Sequence, residues 1–341
     1  MRVVTIVGAG MMGSALVFPA RKNGNVVRLV GTVLDDDVIA ACRADNRHPK
    51  FTVDFPAGVE FYTFAEFDKA LPGSDFVICG VSSFGVDWFA EAVLPKLGGI
   101  PVLSVTKGLF DTEDGQLLTY PEYWNRLVPD AEICAIGGAC TSYELVAEDP
   151  TVVTYCGRNR ATLERMRQAM ETDYYFIELS DDIRGVETAV ALKNAYAFGV
   201  TLTIGINERR NGKDAKQHYN SQAAAFAQGA REMRRLIAIL GGGADSVDVG
   251  IGDLYVTVFS GRTRLIGTLL GRGLSLDEAL RQLEGITLES NVVSERVGRA
   301  LSRQAAAGKI DADDYPMMML VYRILTENRK AEMPWKAFRG K

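Results

Sequence analysis

Six residues, Gly8-Ala9-Gly10-Met11-Met12-Gly13, constrain this chain more than any other stretch. They directly follow the apolar run Val3–Val7, which reads as a strand, and they open Met11–Asn23, which reads as a helix ended by Gly24. A GxGxxG turn between a strand and a helix marks the first βαβ unit of a dinucleotide-binding fold. Each glycine has its own physical task. Gly8 permits the tight turn, Gly10 lets the backbone approach a pyrophosphate, and Gly13 lets helix and strand pack closely. The helix start adds free N–H groups and the positive end of the helix dipole. The competing interpretation is a packing turn with no ligand, and the strand–turn–helix context weighs against it.

The following residues extend the pattern. Val26–Val30 reads as a second strand, with further strands near Phe76–Gly80, Pro101–Ser104 and Ile133–Ile136, each a continuous apolar run. Such strands separated by helices indicate a parallel sheet covered on both faces. Right-handed crossovers then give a doubly wound α/β fold. After Asp181-Asp182 the character changes. Arg184–Ile206 reads as a long buried helix. Gln222–Leu240 reads as another, with Arg231, Glu232, Arg234 and Arg235 on its polar face. Leu276–Leu283 and Val292–Ala307 also look helical, while the polar segment Asn207–Tyr219 reads as a loop between two buried helices. The expected organisation is a dinucleotide-binding domain over residues 1–182 and a mostly α-helical substrate and catalytic domain over 183–341.

Composition removes several function classes. Apolar residues make up 47% and charged residues 24%, the balance of a globular chain. The net charge is −5 with no basic block, so nucleic acid is not an expected partner. The five cysteines (Cys42, Cys79, Cys134, Cys140, Cys156) form no CxxC pair, which fits reduced thiols in a cytoplasmic protein. Two histidines, His48 and His218, leave little for a zinc site or a His-based triad, and no metal is expected. The N-terminal apolar run is preceded by a single Arg and interrupted at Gly8, so it reads as a strand rather than a signal peptide. Elsewhere the longest apolar stretch, Ala195–Ile206, falls short of the ~20 residues that span a bilayer.

Two features point to chemistry. An acidic residue at the end of the second strand would bond a ribose 2′-OH, whereas an Arg there would favour a 2′-phosphate. That strand ends in Gly31-Thr32, and Asp35, Asp36 and Asp37 make the following turn negative. The charge leans towards NAD and leaves NADP open. The second feature is Lys193-Asn194, set in the apolar helix Val186–Ala197. A buried lysine is costly without a partner or a task. Burial lowers the pKa of an ammonium, which suits proton transfer. A lysine snorkelling to the surface is the alternative.

With these motifs in view, the whole chain resembles the NAD-dependent glycerol-3-phosphate dehydrogenases. The likeness runs through GxGxxG at 8–13, GVSS at 80–83, TKGL at 106–109 and G-A-x-x-x-x-E at 138–144. It continues through VE…ALKN at 186–194, N…GAREM at 220–233, GDL at 252–254, GRTR at 261–264 and Glu289, in the family's order. The resemblance implies an N-terminal Rossmann domain and an α-helical C-terminal domain, and a homodimer acting on a small phosphorylated substrate. It implies that Lys193 is the catalytic lysine, that Lys107 is a second active-site lysine lowering the pKa of Lys193, and that Asp253 orients Lys193. It places Asn194, Thr257, Arg262 and Thr263 at the substrate, Arg262 as the phosphate ligand. Gly8, Gly10, Met11, Met12, Gly13, Ser82, Lys107, Arg262 and Glu289 fall to the cofactor.

Three departures lie around the substrate. The family usually has Arg-Asn where this chain has Arg262-Thr263, the 207–219 loop looks longer, and Cys140 and Thr141 replace the more usual residues. The expected reaction is the interconversion of glycerol 3-phosphate and dihydroxyacetone phosphate. Another polyol or sugar phosphate, or a non-phosphorylated analogue, is the alternative substrate, and a non-catalytic NAD-binding regulator is the alternative of another class. The adjacency of Lys193 and Asn194 sets the chain apart from the β-hydroxyacid dehydrogenases, which space these residues about a turn apart.

Overall fold

Val3–Val7 (β1) and Val26–Val30 (β2) are strands over the residues their apolar runs predict, and they pair in parallel with Val3 opposite Val26. The computed structural model describes residues 1–338. Its other strands are Val59–Tyr62 (β3), Phe76–Cys79 (β4), Val102–Ser104 (β5), Leu109–Asp111 (β6), Leu117–Thr119 (β7), Ile133–Gly137 (β8), Thr151–Cys156 (β9) and Tyr175–Ser180 (β10). Eight of them form one sheet in the order β10-β9-β8-β5-β4-β1-β2-β3. The order reverses between β1 and β4, which is where an open α/β sheet leaves a crevice at the carboxyl ends of its strands.

The predicted strands β1, β2, β4, β5 and β8 all run parallel, as expected, and two strands that no predicted run covers are added at one edge: β9 pairs antiparallel with β8, so β9 and β10 run the other way. The connection from β8 carries only a five-residue helix, Ser142–Val146. That helix rises ~7 Å, too little to return the chain along a strand of ~16 Å. A second adjustment concerns Met11–Asn23, which breaks into Met11–Ala15 and Val17–Lys22. Pro19 lacks the N–H that Ala15 would need and its ring crowds that carbonyl.

By contact density the chain forms two compact units, residues 1–107 with 120–183, and residues 108–119 with the remainder from 184. The hairpin β6–β7 therefore belongs with the second unit, an assignment that a continuous domain over 1–182 does not contain. Three arginines spaced along the helix Glu289–Ala306 hold it there. Arg296 donates to the Leu109 carbonyl at 2.9 Å, and Arg299 makes two bonds to the Asp111 carboxylate at 2.7 and 3.2 Å. Arg303 donates to the Thr112 and Glu113 carbonyls.

The second unit is otherwise helical, built around Ile183–Asn211. This helix is apolar on all sides because it is surrounded. Among the described residues it is also the one helix long and apolar enough to cross a membrane, and 89% of its apolar window is buried within the protein. It extends past the predicted loop start at Asn207, so that loop is corrected to residues 212–218. Arg209 and Arg210 in the last turn suit the negative helix end, and Glu208 is held by Arg272. Glu232 is also corrected. It was expected on the polar face of its helix, Tyr219–Ile239, and is instead fully buried. Helix Arg262–Arg272 crosses Ile183–Asn211 at backbone contact, since a Cβ on Gly205 would lie 2.0 Å from the Thr268 carbonyl oxygen.

Candidate active site

In the first unit, the glycine-rich turn sits at the reversal between β1 and β4. Gly8 has φ +111°, a conformation that side chains rarely adopt. A Cβ at Gly13 would lie 2.1 Å from the Gly8 carbonyl oxygen, and one at Gly80, just after β4, would lie 2.9 Å from Gly13 Cα. Those glycines serve the packing of the turn. Gly10 does not. Its φ and ψ of −71° and 175° are open to any residue, and a Cβ there would meet nothing within 4 Å. Neither strain nor internal packing requires glycine at this position, and the space beside it is open. The helix that starts beside it has no side-chain cap and no acidic residue in its first turn. Half-buried Met11 and Met12 form that turn, and exposed Ser82 precedes the short turn Ser83–Gly85 after β4.

The acidic run after β2 divides. Asp36 and Asp37 are exposed, while Asp35 folds back. Its Oδ2 accepts from Thr32 N and Thr32 Oγ1 at 2.8 Å each and from Ala9 N at 3.2 Å. On the other side of Ala9 is a residue that sequence reasoning did not use. His48 is 3% exposed, and its Nε2 lies 3.2 Å from the Ala9 carbonyl oxygen. Burial holds its pKa below the ordinary histidine value. No local pattern announces His48, because its contact spans 39 residues of sequence.

Lys107 follows β5 by three residues, and its Nζ donates to the Gly138 carbonyl at the end of β8, at 2.9 Å. The neighbouring Thr106 hydroxyl donates to the Val81 carbonyl at 2.8 Å, tying this turn to the one after β4. The replacements at Cys140 and Thr141 open the helix Ser142–Val146, where the Thr141 hydroxyl donates to Glu144.

In the second unit, Lys193 projects from Ile183–Asn211 towards helix Val247–Phe259. Its Nζ lies 2.6 Å from Asp253 Oδ1, with side-chain exposures of 14% and 3%. One turn on, the Thr257 hydroxyl donates to the Asp253 carbonyl at 2.7 Å, so its lone pairs remain available as acceptors. Asn194 is half-buried beside Lys193. Arg262 is exposed at the first position of Arg262–Arg272, and Thr263 behind it is 6% exposed. That helix has no acidic residue in its first turn and no side-chain cap at Gly261. A cation at the positive end of an uncapped helix is stabilised by an anion. Glu289 is half-buried at the first position of Glu289–Ala306. The predicted residues thus fall into a first-unit group around the glycine turn and Lys107, and a second-unit group in which Lys193, Asp253 and Thr257 adjoin. Among the described residues, no cluster of three or more His, Cys, Asp or Glu could hold a metal ion.

The N-terminal model of the NAD-dependent glycerol-3-phosphate dehydrogenases matches residues 3–163, and the C-terminal model matches residues 182–336. The chain belongs to this family. It is 34% identical over 337 residues to an NADP(+)-dependent glycerol-3-phosphate dehydrogenase of Archaeoglobus fulgidus, with 97% of each chain covered. It is 28% identical to an NAD(P)+ glycerol-3-phosphate dehydrogenase of Pelodictyon phaeoclathratiforme, covering 96% of this chain and 95% of that one. Among solved structures, the glycerol-3-phosphate dehydrogenase of Coxiella burnetii matches with a TM-score of 0.81 at 24% identity, covering 99% of this chain and 98% of that one. That of Plasmodium falciparum matches at 0.84 and 16%, covering 100% and 96%. These two likenesses concern the fold, the Rossmann-type first unit and helical second unit of a glycerol-3-phosphate dehydrogenase.

Proposed function

We propose that the chain interconverts glycerol 3-phosphate and dihydroxyacetone phosphate with NAD or NADP, and that Lys193 transfers the proton. The observation that carries this reading is the Lys193–Asp253 pair, a cation and carboxylate almost withdrawn from water in a family of dehydrogenases. The first unit would hold the cofactor at Gly8, Gly10, Met11, Met12, Gly13 and Ser82, and the open side of Gly10 fits a pyrophosphate. Arg262 and Glu289 complete the cofactor contacts in this reading.

When bound, the nicotinamide supplies or accepts the hydride. Reduction builds negative charge on the ketone oxygen, and Lys193 Nζ delivers a proton to it as the C–H bond forms. In the reverse direction Lys193 takes the hydroxyl proton. Asp253 holds Nζ in place and balances its charge, and Lys107 acts as the second active-site lysine. Asn194, Thr257 and Thr263 orient the substrate. Arg262 binds its phosphate through the planar guanidinium fork, supported by the uncapped helix start on which it sits. The residues 183–341 would then be the substrate and catalytic domain and 1–182 the dinucleotide domain. A cytoplasmic homodimer belongs to the same reading, supported by the free cysteines and by exposed Tyr255, Phe259 and Leu265 in the second unit.

Thr263 favours a second substrate, another polyol phosphate, because it stands where the family's asparagine would be. Purified protein with NADH or NADPH and a panel of ketone phosphates, followed at the nicotinamide absorbance, decides between them. Fastest turnover on dihydroxyacetone phosphate is expected. A different ketone phosphate preferred by its kcat/KM would overturn the substrate, and no turnover on any would overturn the enzyme. Sedimentation of the same sample tests the dimer.

A further inference from the structure

Ala9 lies between Gly8 and Gly10 and is 1% exposed, so its peptide groups need partners inside the protein. Both partners are side chains from the segment after β2. Asp35 Oδ2 accepts from Ala9 N at 3.2 Å, and His48 Nε2 faces the Ala9 carbonyl oxygen at 3.2 Å. The roles at His48 follow from its other nitrogen. Lys50 N donates to Nδ1 at 3.1 Å, so Nδ1 is the bare nitrogen and Nε2 carries the proton given to Ala9. Phe51 packs on the ring with centroids 4.7 Å apart.

We infer that Asp35 and His48 form a two-sided clamp on Ala9 that sets the dinucleotide turn for binding. A peptide unit is planar and trans, so fixing the Ala9 carbonyl on His48 turns the Gly10 N–H to the opposite side. Fixing the Ala9 N–H on Asp35 sets the preceding peptide plane in the same way. The two planes flank Ala9, and the second carries the N–H of Gly10, whose open side is the approach for a pyrophosphate. Without the clamp, the turn between two glycines has freedom to lose on binding, and affinity falls by that cost. Asp35 and His48 are positioning residues in this role. Asp35 spends one oxygen on Thr32 and Ala9, and what it requires there is an acceptor, not a charge.

The inference rests on reading the turn as the dinucleotide site, and the test separates the two. NADH and NADPH affinity is measured by nicotinamide fluorescence for wild type, Asp35→Ala, Asp35→Asn, His48→Ala and His48→Gln, with steady-state kinetics alongside. Asp35→Ala and His48→Ala are expected to raise the NADH Kd and KM about 5- to 30-fold, the worth of one buried hydrogen bond. The ketone KM and the kcat at saturating NADH should stay within about 2-fold, a split that general destabilisation does not produce. Asn retains an acceptor and Gln a donor, so both conservative variants should recover most of the affinity. If His48→Ala does not fold, His48→Gln and the Asp35 pair carry the comparison. Alanine variants that bind NADH like wild type would overturn the clamp alone. Asp35→Asn binding as poorly as Asp35→Ala would overturn its acceptor role, and wild type binding neither nucleotide would overturn the reading of the turn and the clamp with it.

Discussion

Lys193 Nζ and Asp253 Oδ1 are 2.6 Å apart on two different helices, and the aspartate side chain is 3% exposed. A carboxylate so far from water is sustained by its cation, and the cation is thereby aimed. Replacing the proton carrier should cost what general acid–base catalysis contributes. Lys193→Ala is expected to lower kcat by ~10²–10⁴ with NADH binding intact. Asp253→Asn should lose less, because it removes orientation and charge balance and leaves the ammonium. Near-normal kcat in Lys193→Ala on the best substrate would return Lys193 to a structural ion pair.

Gly10 and Gly13 separate binding from packing. A Cβ at Gly10 meets nothing, while one at Gly13 overlaps the Gly8 carbonyl oxygen. Gly10→Val should therefore keep its thermal midpoint within a few degrees and lose NADH binding. Gly13→Ala should lose both, with destabilisation of ~1–3 kcal/mol from overpacking. Thermal unfolding and NADH fluorescence on the two variants check this, and unchanged NADH affinity in Gly10→Val would count against the ligand side of the turn.

The sequence patterns that carried through are those made by continuous burial. β1 and β2 are apolar runs bounded by glycine and polar residues, and their ends agree with the structure. β3 and β10 are partly exposed, and β6 and β7 have three residues each, so none of them forms an apolar run long enough to stand out. The charged end of Ile183–Asn211 reads as a loop because polarity there reflects the helix leaving the core, not the helix ending. Glu232 shows the limit of periodicity, since one buried carboxylate among arginines carries the same local signal as an exposed one. At the site, the glycine turn is a local motif and was legible by itself. Lys193 and Asp253 stand 60 residues apart, and the likeness to a family, rather than spacing, brought them together in the reading. The Asp35 and His48 contacts with Ala9 are single hydrogen bonds across long sequence separations, which no periodicity records.

Arg262 is exposed at an uncapped helix start, a placement that favours an anionic partner. A charge-assisted bond to a phosphate contributes ~1.5–3 kcal/mol, so Arg262→Ala should raise KM for the phosphorylated ketone about 10- to 150-fold. Arg262→Lys should recover only part of it, because an ammonium lacks the planar fork. Initial-rate kinetics on the preferred substrate measure both. A wild-type KM in Arg262→Ala would mean that the substrate carries no phosphate at this position.

Glu232 ties two helices of the second unit together and makes their stability depend on pH. Its Oε1 accepts from Gln228 Nε2 at 2.7 Å and from Met317 N at 2.8 Å, and its Oε2 accepts from Met318 N at 3.0 Å. Those two N–H groups begin the helix Pro316–Glu327, where no intrahelical acceptor exists. Burial pushes the Glu232 carboxyl up to about 7 from the ordinary 4.5, against the opposing pull of these bonds. Between those values the folded chain holds a proton that the unfolded chain has released. The contribution of Glu232 is therefore complete below pH 4.5, declines as pH rises through the window, and is flat above about 7. The decline amounts to about 3 kcal/mol. Glu232→Gln cannot titrate, so urea unfolding from pH 5 to pH 8 should cost wild type roughly 2–3 kcal/mol more than the variant. Other titrating groups are common to both proteins and cancel in the difference. Parallel stability curves across that range would place the Glu232 carboxyl at its ordinary value.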